Sequence, residues 1–168
     1  MEFEEIIRKR TSVRKFSNKK LEKEKLDKIL EAGKLAPTAK NNQPIKIYVV
    51  RSEEGLKKID KASPCRYGAK TCLIVCGNTL EAYKKGDYST YEMDSCIVAT
   101  HMLLAATNEG VDDIWIEMFD GNILREEFDI PTNLIPVCLI PLGYRKEDAR
   151  ENPMHSIRKE ISELVEYK

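Results

Sequence analysis

Between Cys96 and Ala106 the chain reads CIVATHMLLAA, and nearly every side chain is apolar or small. The wider pattern, from Tyr91 to Glu109, predicts a helix closed by Gly110 as its C-cap. A helix that is apolar all round has no face to offer to water. It must be enclosed by its own domain or by a partner chain. The chain has 168 residues, about one domain, and in so small a chain a dimer interface is the more economical way to cover it.

The rest of the chain falls into short elements around that helix. Phe3, Ile6 and Ile7 share one face of an opening helix. Residues 10–16 turn extended, because Thr11, Ser12 and Val13 favour that backbone. Leu26, Ile29, Leu30 and Gly33 line a second helix, and Pro37 disfavours helical geometry at Ala36. Ile45–Val50 reads as a strand. Ser52 caps a helix carrying Leu56 and Ile59, and residues 72–76 read as a buried strand. A tyrosine-rich connector spans residues 80–91. Asp113–Ile116 reads as a strand, and Asp120 caps a helix with Ile123, Leu124 and Phe128 on its inner face. Pro136–Leu142 is a further strand ended by Gly143. A charged tail begins at Arg145 and closes with a short helix over Ser156–Tyr167. Alternating helices and strands imply a layered α plus β domain, and the long helical connections point to some parallel strand pairs.

Charge and composition exclude several classes. Twenty-eight basic residues balance 28 acidic ones, which argues against a protein that coats nucleic acid or an anionic membrane. The longest unbroken apolar runs, Cys72–Cys76 and Met102–Ala106, are five residues, too short to span a bilayer. The acidic opening MEFEEIIRKR is unlike a signal peptide, and the chain is expected in the cytoplasm. The five cysteines are then expected as reduced thiols. His101 and His155 have no partner at metal-ligand spacing, so no metal site is expected.

Three segments could carry chemistry. Arg10, Thr11, Ser12 and Arg14 put two guanidiniums and two hydroxyls within five residues. In extended backbone Arg10, Ser12 and Arg14 face one side, a donor mixture that suits a phosphate. The same residues also fit an exposed basic turn. In APTAKNNQP, residues 36–44, uncharged amides and a hydroxyl suit the rim of a heteroaromatic ring, or a polar helix-to-strand loop. In WIEMFD, residues 115–120, Glu117 reads as an active-site carboxylate or as a solvent-facing residue beside a core Trp and Phe. There is no G-x-S-x-G, G-x-G-x-x-G or P-loop.

Taken together, the segments resemble the FMN-dependent nitroreductase family over essentially the whole chain. The shared motifs are R-x-S-V-R-K-F from Arg10 to Phe16, A-P-[ST]-x-x-N-x-Q-P from Ala36 to Pro44, and D-x-x-I-x-x-x-H-M-x-L-A-A from Asp94 to Ala106. E-G-V-D-D-I-W-I-E-M-F-D, P-L-G-Y and a late M-H-x-x-R-K follow in order. The resemblance implies an α+β fold of three layers: a mixed, mainly antiparallel sheet with helices on both faces. It implies one domain over 1–168 with 145–168 as a C-terminal arm, and a homodimer sharing two FMN sites. Arg10 and Ser12 would hold the FMN phosphate with Arg158 closing on it, Thr11 would also bind the cofactor, and Arg14 would reach the pyrimidine edge. Pro37, Thr38, Ala39 and Asn41 would pack on the ring from the partner chain. Trp115, Ile116 and Glu117 would line the ring near N5, with the Glu117 backbone N–H as donor and no catalytic side chain. The implied activity is hydride transfer from NADH or NADPH, through FMN, to a nitroaromatic, quinone or similar small acceptor in a ping-pong cycle. The alternatives are a non-catalytic FMN carrier or redox sensor, or another flavin reaction such as dehydrogenation or dehalogenation. Asp112, Arg145 and Lys70 depart from the family pattern.

Overall fold

Strand alternation sets the layering. In the computed structural model, which describes residues 1–168, the helices are α1 (Phe3–Lys9), α2 (Lys23–Lys34), α3 (Glu53–Ala62), α4 (Tyr91–Asn108), α5 (Gly121–Glu127) and α6 (Ile161–Leu164). The strands are β1 (Ile45–Val50), β2 (Thr71–Asn78), β3 (Lys84–Lys85), β4 (Tyr88–Ser89), β5 (Asp112–Asp113) and β6 (Leu134–Gly143). One sheet has the order β1-β2-β6-β5, and β3 and β4 form a separate hairpin inside the connector. Along β2, Cys72, Ile74 and Cys76 point to one face, where they pack with Leu56, Ile59 and Leu124 of α3 and α5. Leu73 and Val75 point to the other, against Leu26 and Ile29 of α2 and Val98 and Met102 of α4. The period of two therefore builds two cores on one sheet, an α/β/α sandwich of the expected class.

Every pairing in that sheet is antiparallel. The parallel pairing that long connections point to is reduced to one bridge, Ser12 to Asp113. The reason lies after α3: the loop of residues 63–70 brings the chain back, so that Cys72 lies opposite Val50 at the end of the sheet it left.

Local chemistry explains most boundaries. The Ser52 hydroxyl accepts from Gly55 N–H, and the Asp120 carboxylate accepts from Asn122 and Ile123 N–H. Gly110, at φ 67°, closes α4. The expected strand over Asp113–Ile116 is shorter than its pattern. Asp113 pairs with Leu142 and Ile116 with Leu139 in one register, but Ile114 falls opposite Pro141, which has no N–H to donate. The ladder is interrupted there. The expected helix over Ser156–Tyr167 shrinks to α6 and a 3₁₀ turn over Pro153–Ser156. No residue of α6 is buried, and a short helix whose apolar residues pack on nothing in their own chain does not propagate.

Enclosure of α4 is incomplete. Val98, Ala99, Met102, Leu103 and Ala106 are buried, while Ile97, His101 and Leu104 are half-buried on its other side. The apolar residues of α1 are also uncovered, with Phe3 66% and Ile7 47% exposed. No helix is long and apolar enough to cross a membrane.

Candidate functional site

The extended segment after α1 runs beside the sheet edge. Val13 N–H donates to the Asp113 carbonyl at 2.9 Å, which fixes the segment against β5. The period of two then turns Arg10, Ser12 and Arg14 toward a cavity of about 260 Å³. Arg158 of the C-terminal arm lines the same cavity, together with Thr11, Asn152, Met154 and His155. Residues from opposite ends of the chain thus meet in one cationic pocket.

The electrostatics of this pocket are uneven. Arg10 Nη1 lies 3.3 Å from Asp113 Oδ1, and the carboxylate is only 1% exposed. Burial pushes Asp113 up to about 7 against the lowering pull of the Arg10 guanidinium. Arg14 and Arg158 have no carboxylate partner. Arg14 donates to the Ser12 carbonyl at 3.4 Å, and Arg158 donates to the carbonyls of His155 and Ile157. Two guanidiniums without counter-ions, one held by a buried carboxylate, and a hydroxyl form a donor set suited to a phosphate.

The other expected site residues lie on separate surfaces. Thr38 lines a groove between α2, β1 and α4 with Leu30, Gly33 and Ile45. Pro37, Ala39 and Asn41 flank it in the loop that follows α2. That loop is tightly tied: Thr38 Oγ1 accepts from Gln43 N–H at 3.0 Å, and Ala39 N–H donates to Asp94 at 2.9 Å. Ile116 is buried in the sheet, and Trp115 packs on the α2–α4 core. Glu117 lines a shallow cavity with Ala62, Pro64 and Met118. Its carboxylate is exposed and accepts from the Trp115 indole N–H at 2.9 Å, while its backbone N–H makes no hydrogen bond within the chain.

Sequence reasoning missed four residues around these surfaces. Asn152 and His155 line the arginine pocket; the late M-H-x-x-R-K motif contains His155, though its sequence points to the arginine alone. Asp113, beneath Arg10, gave no local signal beyond a strand start. Asp94 makes its contact 55 positions away. Two departures from the family pattern explain each other, because Asp112 accepts from Arg145 N, Nε and Nη2 at 2.7, 2.8 and 2.6 Å. The pair fastens β5 to the start of the arm.

Fold and site define a three-layer α+β protein with a cationic pocket at a sheet edge. The Nitroreductase family model matches residues 7–66 and 63–144, and the chain belongs to that family of oxidoreductases. It is similar to a nitroreductase family protein of Clostridium difficile 630, with 35% identity and a TM-score of 0.93 over 100% of this chain and 99% of that one. A protein of Methanothermobacter thermautotrophicus named "Putative NADH dehydrogenase/NAD(P)H nitroreductase" is 32% identical over 88% of this chain and 80% of its own length. One of the same name from Archaeoglobus fulgidus is 31% identical over 85% of each.

Proposed function

We propose that the chain binds FMN between two copies of itself and works as an NAD(P)H-dependent oxidoreductase. The observation that carries this reading is the convergence of Arg10, Ser12, Arg14 and Arg158, with Arg14 and Arg158 lacking counter-ions. That donor set fits the phosphate of a mononucleotide. Bound FMN would supply hydride chemistry between a reduced nicotinamide and a small acceptor such as a nitroaromatic or quinone, in a ping-pong cycle.

The protein's part is to bind, orient and stabilise. Arg10, Thr11, Ser12 and Arg158 anchor the phosphate, and Arg14 extends along the ring's pyrimidine edge. The Glu117 backbone N–H, free of any partner in its own chain, donates toward N5. Trp115 holds the Glu117 carboxylate, so this side chain has a structural partner and needs no catalytic one. The half-buried Trp115 would line the ring, while Ile116, buried in the sheet and paired with Leu139 through both its backbone groups, holds the segment in place rather than facing the ring. Pro37, Thr38, Ala39 and Asn41 do not lie in the arginine pocket, and we assign them to the partner copy's flavin.

A homodimer accounts for the uncovered surfaces. The open side of α4, the exposed Phe3 and Ile7 of α1, and the apolar residues Ile157, Ile161 and Leu164 of the arm all lack cover in one copy. We read residues 1–168 as one domain with residues 145–168 as a C-terminal arm: Arg158 stays at its own chain's pocket, and the exposed Ile157, Ile161 and Leu164 are left for the partner to cover. Chromatography of the cofactor released on denaturation tests the reading, with light scattering of the loaded protein. FMN and a dimer are expected. Stoichiometric FAD, or a loaded monomer, overturns it. A carrier or sensor would bind FMN but show no turnover with NADH or NADPH.

A further inference from the structure

Three non-glycine residues within four positions sit in the left-handed region: Lys40 at φ 53°, Asn41 at 56° and Gln43 at 51°. Asparagine tolerates this conformation, but lysine and glutamine do so at a cost. Such a loop keeps its shape only where its surroundings over-determine it. The strongest restraint comes from α4. Asp94 is 1% exposed, and both of its carboxylate oxygens are held by neutral donors. Its Oδ1 accepts from Ala39 N–H at 2.9 Å, and its Oδ2 accepts from the Thr90 hydroxyl at 2.7 Å. Thr90 N–H in turn donates to the Tyr83 carbonyl at 3.0 Å, and Asn42 Nδ2 donates to the Glu81 carbonyl at 2.9 Å. One buried carboxylate therefore ties the 38–43 loop to α4, and through Thr90 to the connector over residues 80–91.

We propose that Asp94 is a positioning residue for flavin binding: by accepting from Ala39 N–H and Thr90 Oγ–H together, it holds the 38–43 loop in the shape that packs on the ring. This rests on the FMN reading above. Asp94 does not touch the ring; it acts through Ala39. What matters is a pair of filled hydrogen bonds rather than a charge. An asparagine at 94 can accept from Ala39 with its oxygen and donate to Thr90 with its nitrogen. The Thr90 hydroxyl then turns to the Tyr83 carbonyl, 3.4 Å away. An alanine leaves the half-buried Ala39 N–H without its partner.

The test uses the full-length chain and two readouts, one of them independent of the cofactor. Trypsin cleavage after Lys40, followed by mass spectrometry on FMN-free protein, reports opening of the loop. Titration with FMN reports affinity. Asp94→Ala should raise both the Lys40 cleavage rate and the Kd for FMN by about tenfold or more. Asp94→Asn should stay within about threefold of wild type in both. Thr90→Val, which empties only the Oδ2 side, should fall between the two, and it carries the test if Asp94→Ala does not fold. The inference is overturned if Asp94→Ala or Thr90→Val leaves cleavage at the wild-type rate. It is equally overturned if Asp94→Asn is as damaged as Asp94→Ala, because charge would then be the property that matters. Wild-type protein that fails to bind FMN would refute the FMN reading, while the cleavage arm would still decide the role of Asp94.

Discussion

Replacing Arg10 with alanine does two separable things. It removes a donor from the proposed phosphate site, and it leaves the buried Asp113 carboxylate without its partner at 3.3 Å. The first effect is a lost charge-assisted contact, about 1.5–3 kcal/mol, or roughly ten- to a hundredfold in the Kd for FMN. The second depends on pH. Burial raises Asp113 from 3.8 to about 7 in the folded protein. The stability attached to a raised acid is fully present below its unfolded value and is lost as pH rises through its folded value. That window runs from 3.8 to about 7, and the difference amounts to about 4 kcal/mol. Without Arg10 the carboxyl holds its proton still higher. Arg10→Ala should therefore cost little stability at pH 6 and more at pH 8. The double variant Arg10→Ala/Asp113→Asn should lose this pH dependence while its FMN affinity stays low. Urea unfolding at the two pH values and quenching of FMN fluorescence measure both effects. An Arg10→Ala Kd within about twofold of wild type would refute the phosphate assignment. So would full recovery of FMN affinity in the double variant.

Glu117→Ala should keep the rate of flavin reduction within about tenfold, roughly 1.4 kcal/mol of barrier, in stopped-flow mixing with NADH or NADPH. Glu117→Pro removes the backbone N–H; once shown to be dimeric and FMN-loaded, it should lose more, up to ~2.7–4 kcal/mol. Loss of reduction in Glu117→Ala with FMN still bound would make the carboxylate catalytic. Gly77→Ala should cost roughly 1–3 kcal/mol in urea unfolding, because a Cβ there would meet the Tyr91 carbonyl oxygen at 2.8 Å, where α4 lies against β2. Burial pushes the Cys72 and Cys76 thiols up to about 12 and raises Cys138 further. All three should resist a thiol reagent at pH 8 until the protein unfolds, and rapid labelling of native Cys72 or Cys76 would contradict their burial.

Local signals read well where local chemistry decides. The caps at Ser52 and Asp120, the stop at Gly110 and the two-faced alternation of β2 all lie within a few residues of their cause. Boundaries failed where a distant residue intervened. Pro141 interrupts the strand at Ile114 from 27 positions away, and α6 stays short because none of its residues is buried against its own chain. The site divides in the same way. Arg10, Ser12 and Arg14 were legible because a period of two aligns them, and Arg158 came from the late basic motif. Asp113 and Asp94 carry no pattern of their own, since each gains its meaning only when the fold brings Arg10 or Ala39 beside it.

A flavin held by the arginine pocket and reduced by a nicotinamide leaves a visible signature. An absorbance spectrum of the purified protein, repeated without oxygen after adding NADH and then NADPH, tests it most directly. The protein should be yellow, and its flavin bands should bleach with at least one of the two and return when a quinone or nitroaromatic is added. A colourless protein that takes up no FMN, or bound FMN that neither nicotinamide bleaches, would contradict it.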